Sequence, residues 1–104
     1  MHKSGDVILV HVQFADSSEM KLRPAAVLFE DFGNIVIAGI TSNLKMKGIK
    51  LTQEDGAIKE SVIKTNYIFT VSEVMVKKNL FALSKIKRKQ LLDELTDKLD
   101  QLIR

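Results

Sequence analysis

Residues 22–43, LRPAAVLFEDFGNIVIAGITSN, constrain the fold more than any other part of the chain. Two apolar runs rich in β-branched residues flank Asp31-Phe32-Gly33-Asn34, and a Gly-Asn step between such runs supplies the positive-φ backbone that a tight hairpin needs. Residues 26–30 and 35–40 are therefore expected to be antiparallel neighbours. Closing the hairpin brings Arg23-Pro24, where the first strand starts, beside Thr41-Ser42-Asn43, where the second ends. Polar chemistry gathers at these two open ends. Pro24 has no amide to donate and pushes the residue before it into extended geometry, so Arg23 is presented from a stiff strand start.

The rest of the chain reads outward from the hairpin. Residues 7–14, VILVHVQF, are apolar on both faces and then alternate, as a first strand does when it leaves a barrel interior. Residues 15–21 match neither period and are expected as a loop. A short strand is expected at 49–52 and a turn at Asp55-Gly56. Residues 61–72, SVIKTNYIFTVS, read as one bent strand or two short ones, and 74–83 fit a helical turn as well as a strand. From Lys85 onward Leu91, Leu92, Leu95, Leu99, Leu102 and Ile103 recur at helical spacing, with Ser84 as the N-cap. Strands over about 5–72 and a helix over about 85–103 make one domain, residues 1–104. The expected class is mainly β: a small SH3-like barrel with a C-terminal α-helix and a shallow concave face suited to an extended ligand.

Composition removes several kinds of chemistry. With no cysteine there is neither a disulfide frame nor a thiolate metal site, and two histidines, His2 and His11, fall short of the usual zinc cage. No metal site and no cofactor are expected. The start resembles no signal peptide and no apolar run is long enough to span a bilayer, so no membrane partner is expected and the cytoplasm is the expected compartment. A net charge of +3 permits a polyanionic partner without demanding one.

At the hairpin's open end a planar, permanently charged guanidinium suits a phosphate, whose oxygens it can meet in pairs. The bland alternative is a surface pair with Asp16 or Glu19. Side chains alternate along a strand, so the hairpin's register decides which hydroxyl shares a face with Arg23. A two- or four-residue loop gives Ser42; a three-residue loop with a bulge gives Thr41. An arginine with hydroxyls can support cleavage of RNA, because there the nucleophile is the substrate's own 2′-hydroxyl. Lys45, Lys47 and Lys50 could track a sugar-phosphate backbone, and Phe14, with Asp16 nearby, could stack on a base. The basic run Lys85, Lys87, Arg88 and Lys89 opens the helix against its dipole, which hints at an acidic partner.

These residues carry a family resemblance. Gly5-Asp6 before the first strand, Arg23-Pro24 opening the next, Ile40-Thr41-Ser42 ending the third, and the later Gly56, Ser61, Val62 and Thr65 resemble the MazF/PemK toxins of toxin-antitoxin systems. The likeness runs in order over nearly the whole chain. It implies a CcdB/PemK-type barrel and a dimeric, metal-independent, sequence-selective endoribonuclease that cleaves single-stranded RNA and is neutralised by a cognate antitoxin. It also implies Arg23 and Thr41 as the catalytic pair, and thereby favours the bulged register. Lys21, Ser42, Asn43, Lys45 and Lys47, with Phe14 and Asp16, are then the expected substrate contacts.

The chain departs from the pattern at His11 and Gln13, where many relatives have prolines, and at Leu80-Phe81, where an Ile-Gly pair is frequent. His11 reads either as a half-buried strand residue or as a general base near Arg23. Phe81 reads as packing. The other function considered is a non-cleaving module on the same barrel, a CcdB-like topoisomerase inhibitor or an RNA binder, for which the Arg-Pro and Ile-Thr-Ser elements would be unnecessary.

Overall fold

The computed structural model describes residues 2–13 and 19–104; Phe14 and Asp16 lie outside the described residues. Among the described residues six strands precede one α-helix: β1 (Asp6–Val12), β2 (Lys21–Asp31), β3 (Asn34–Thr41), β4 (Ile49–Leu51), β5 (Ser61–Ser72), β6 (Val76–Ala82) and α1 (Lys85–Leu99). All neighbours are antiparallel, in the order β4-β5-β3-β2-β1-β6, and the sheet curls into a half-barrel. Lys21, expected in a loop, is the first residue of β2. No helix among the described residues is long and apolar enough to cross a membrane.

Both faces of the central strands are covered, which is why their sequences run apolar without a break. On one face Val7, Ala26, Ala38, Ile40, Leu51 and Ile63 pack with Leu83 and with Leu91 of α1. On the other, Ile8, Val10, Ala25, Val27, Ile35 and Ile37 pack with Val71 and are covered in part by Tyr67, Phe69 and Met75. At about 25 cal/mol per Å² of apolar surface removed from water, these two layers are the main source of cohesion.

The central hairpin closes through a two-residue turn in which Phe32 (φ 51°) and Gly33 (φ 81°) carry the positive φ, rather than the expected Gly-Asn step. Asp31 faces Asn34, Glu30 faces Ile35 and Phe29 faces Val36. Then the register slips. Val27 faces Ile37, leaving Leu28 as an extra residue, a β-bulge in the middle of β2. β5 is one strand with a larger irregularity on its own side: Ile40 faces Ile63 and Ala38 faces Ile68. The ambiguous residues 74–83 divide into a 3-10 turn, Glu73–Met75, followed by β6.

Ser84 caps α1 as expected, its hydroxyl oxygen accepting from the Lys87 amide at 3.2 Å. Side-chain bonds seat the helix: Lys87 Nζ donates to the Lys50 carbonyl at 2.6 Å and lies 3.9 Å from Asp55 Oδ2, and Thr65 Oγ1 donates to Glu94 Oε1 at 2.8 Å. The leucine stripe is not buried as one face. Leu91 is buried and Leu95 half-buried, whereas Leu92, Leu99, Leu102 and Ile103 stay 58–86% exposed. The helix meets the sheet along β4 and β5, so only the arc of its surface that points there finds a partner.

The glycines give a test of this packing. A Cβ on Gly48 would overlap the Ile63 carbonyl, whereas one on Gly33 meets nothing and suffers only its left-handed backbone. Gly48→Ala is expected to cost about 3 kcal/mol and Gly33→Ala about 1 kcal/mol. Urea denaturation midpoints of the two variants check that order.

Candidate functional site

The register places the hairpin's open ends. Ala25 faces Gly39 across the β2–β3 pair, so two residues further toward the open end Arg23 stands across from Thr41 with its side chain on the same face. On the far sides Arg23 faces Val10 of β1, and Thr41 faces Val62 of β5. Val10, Arg23, Thr41 and Val62 thus form one row over four strands. Neither expected loop gives this arrangement as described. The turn has two residues, which alone would bring Ser42 to Arg23, but the Leu28 bulge moves the register by one and brings Thr41 instead.

Thr41 is fixed locally. Its Oγ1 accepts from the Asn43 amide at 3.1 Å, and Asn43 Oδ1 accepts from the Lys45 amide at 3.1 Å. These bonds turn the chain out of β3 and leave the Thr41 hydroxyl hydrogen directed elsewhere. Lys45 and Lys47 are exposed in the following turn.

Sequence reasoning missed Lys64. It is buried, 5% exposed, and its Nζ rests 3.2 Å from the centroid of the Tyr67 ring. Two residues past Val62, it lies on the face that carries Thr41, and Tyr67 packs against the same apolar layer as Val10 and Ala25, the neighbours of Arg23. Gly39, with no side chain, stands between Ala25 and this part of β5. The available signal was alternation: in Ser61-Val62-Ile63-Lys64 the lysine falls on an apolar face, three residues before an aromatic ring.

The opposite face opens into a cavity of about 760 Å³ at the barrel mouth, larger than the shallow concavity expected. Ser42 turns into it beside Leu22, Pro24, Ile40 and Phe81, and Lys21, Arg23, Lys59 and Lys78 border it. Phe81 packs as expected and also walls this space. Asn43, Lys45 and Lys47 lie outside the lining. His11 does not join Arg23. It is exposed rather than half-buried and faces Leu22, so it projects from the side of β1 opposite to Val10, the residue that faces Arg23. Among the described residues no group of three His, Asp or Glu side chains converges.

A six-stranded curled half-barrel with one C-terminal helix, carrying cations and hydroxyls at one rim, defines a class of small β-barrel proteins with a basic mouth. Within that class, residues 3–102 match the PemK-like, MazF-like toxin family of type II toxin-antitoxin systems, and the chain belongs to that family. Among solved structures, the Mycobacterium tuberculosis toxin MazF-mt6 superposes with a TM-score of 0.76 at 16% identity, covering 91% of this chain and 96% of that one. A MazE-MazF structure from Deinococcus radiodurans gives 0.73 at 15% identity, covering 94% and 95%. An endoribonuclease in complex with its cognate antitoxin, from a mycobacterial species, gives 0.73 at 11% identity, covering 94% and 92%. No curated protein sequence matches the chain.

The local role of Thr41 predicts a modest stability effect. Thr41→Val keeps the shape but removes the acceptor of the exposed Asn43 amide, and is expected to cost about 0.5–1 kcal/mol in urea denaturation.

Proposed function

We propose that the protein is a metal-independent endoribonuclease toxin that cuts single-stranded RNA at selected sequences, acts as a homodimer and is neutralised by a cognate antitoxin. The observation that supports this reading best is the row in which Arg23 and Thr41 share one face of the sheet. RNA brings its own nucleophile. The 2′-oxygen bonds to the adjacent phosphorus, the bond to the 5′-oxygen breaks, and the products are a 2′,3′-cyclic phosphate and a 5′-hydroxyl. The 2′-hydroxyl gives up one proton and the leaving oxygen takes one.

The protein's task is to hold the phosphate in line and to balance the charge that grows on its oxygens. Arg23 does this as a paired donor from a strand start stiffened by Pro24. The Thr41 hydroxyl, its oxygen already engaged by Asn43, points its hydrogen at a phosphate oxygen. Lys64 places a further cation on that face, held against Tyr67. Ser42 and Lys21 contact the substrate at the cavity, and Asn43, Lys45 and Lys47 contact it along the turn beyond β3. Membership of the toxin family supports the activity, and the solved toxin-antitoxin assemblies among its structural relatives support the antitoxin partner.

The test is incubation of the purified protein with a long single-stranded RNA in excess chelator. Cleavage to cyclic-phosphate ends is expected, with a loss of about 100-fold or more in Arg23→Ala and Thr41→Val while the fold persists. Intact RNA with the wild-type protein, or normal cutting by either variant, would overturn the assignment.

A further inference from the structure

We infer that the cavity at the barrel mouth selects uracil among the four RNA bases, taking one unstacked uridine beside the scissile phosphate. This rests on the reading that the site binds RNA, and adds which base it prefers. Register sets the two subsites back to back. Val10, Arg23, Thr41 and Val62 form the row on one face of the sheet; one residue along the strands Pro24 faces Leu9, and Leu9 faces Lys78. Leu9, Pro24 and Lys78 all line the cavity of about 760 Å³, so this second row turns its side chains to the opposite face. Ser42, next to Thr41 in the chain, turns in there too. A nucleotide whose phosphate meets Arg23 and Thr41 therefore has an apolar hollow across the rim for its base.

Single-stranded RNA is read through bases that leave the stack, rest on apolar or aromatic surface and bond through their edges. Leu9, Leu22, Pro24 and Phe81 supply the surface. The groups that read the edge are one-sided. Lys21, Arg23, Lys59 and Lys78 only donate, and the lining holds no carboxylate or side-chain amide that would accept from an amino group. Glu54 and Glu60 line a second hollow that Lys59 shares, not this one. Lys21 and Lys78 enter no ion pair among the described residues. Of the two hydroxyls in the lining, Ser61 is buried and gives its hydrogen to the Lys59 carbonyl at 3.2 Å, whereas Ser42 is exposed. Cytosine and adenine turn an amino group toward such a lining, and guanine an amino group with a ring N–H; uracil offers two carbonyl oxygens and one N–H. The cations meet the carbonyls, and the Ser42 oxygen accepts from the single N–H. An amino group facing cations loses its water without gaining an acceptor.

The test is fluorescence anisotropy with uncleavable 2′-deoxy probes: a deoxycytidine tract, and the same tract carrying one central deoxyuridine, deoxyguanosine or deoxyadenosine. The deoxyuridine probe is expected to bind about tenfold more tightly than the plain tract, and more tightly than either purine probe. Uracil and cytosine have the same size, so their ratio reports edge chemistry. Lys78→Glu places an acceptor in the cavity, and the preference for deoxyuridine should be lost or inverted with an unchanged circular dichroism spectrum. Lys77→Glu makes the same charge change at the neighbouring residue, outside the lining, and should leave the preference intact. Equal binding of the probes, a preference for another base, or a preference that Lys78→Glu leaves unchanged or Lys77→Glu alters equally overturns the inference. Cleavage is read separately on long RNA. A protein that prefers the deoxyuridine probe but cuts no RNA removes only the cleavage reading; one that cuts RNA while binding all probes equally removes only the uracil subsite.

Discussion

Leu28 is the extra residue on which the central hairpin depends. Below it, toward the turn, the two-residue loop sets the pairing of Phe29 with Val36; above it the pairing shifts by one, so that Val27 meets Ile37 and Ala25 meets Gly39. The shift decides which side chains enter which apolar layer. Val27 joins Ile35 and Ile37 on one face, Leu28 packs toward Ala26 and Ala38 on the other, and Phe29 comes out half-exposed. A slip of one residue anywhere in a strand exchanges its faces, so a hairpin buried on both sides fixes its bulge strongly.

The same slip sorts the polar groups at the open end. Arg23 and Thr41 go to one face, the face that also carries buried Lys64; Leu22 and Ser42 go to the other and open onto the cavity. The rim therefore has two chemically different sides within the thickness of one sheet. One holds a guanidinium, a hydroxyl and an ammonium close to apolar surface, where water screens charge less than at an open surface. The other is an apolar hollow bordered by lysines, and Arg23 reaches its edge as well. Pro24, between Arg23 and Ala25, removes one backbone donor at this rim and keeps the arginine's backbone extended.

Much of this was legible in the residues. The hairpin, its turn position, the helix and its Ser84 cap follow from periodicity and local hydrogen-bonding chemistry. The bulge does not, because Ala25-Ala26-Val27-Leu28-Phe29 is apolar at every position and no polar residue marks the change of face. Thr41 was singled out by family resemblance, while the pattern alone left Thr41 and Ser42 equal. Lys64 is not legible in this way, because a lysine in an alternating strand reads as a solvent-facing residue until Tyr67 is seen to cover it. The helix pattern likewise reveals apolar spacing but not how wide an arc the sheet can cover, and Leu92 and Leu99 stay outside the core. His11 was placed correctly in alternation with Val7 and Leu9, yet only the pairing of Val10 with Arg23 separates it from the arginine.

Register at the open end decides which hydroxyl shares a face with Arg23, and the absence of cysteine from the chain makes it directly measurable. Two double variants are compared under mild oxidation: Arg23→Cys with Thr41→Cys, and Arg23→Cys with Ser42→Cys. Facing positions on adjacent strands lie within the Cα separation of about 4.4–6.8 Å that a disulfide spans, whereas side chains on opposite faces point apart. Rapid intramolecular cross-linking of the 23/41 pair is expected, and little of the 23/42 pair. Preferential linking of 23 to 42 would contradict it, since Leu28 would then not shift the register and Thr41 would face away from Arg23.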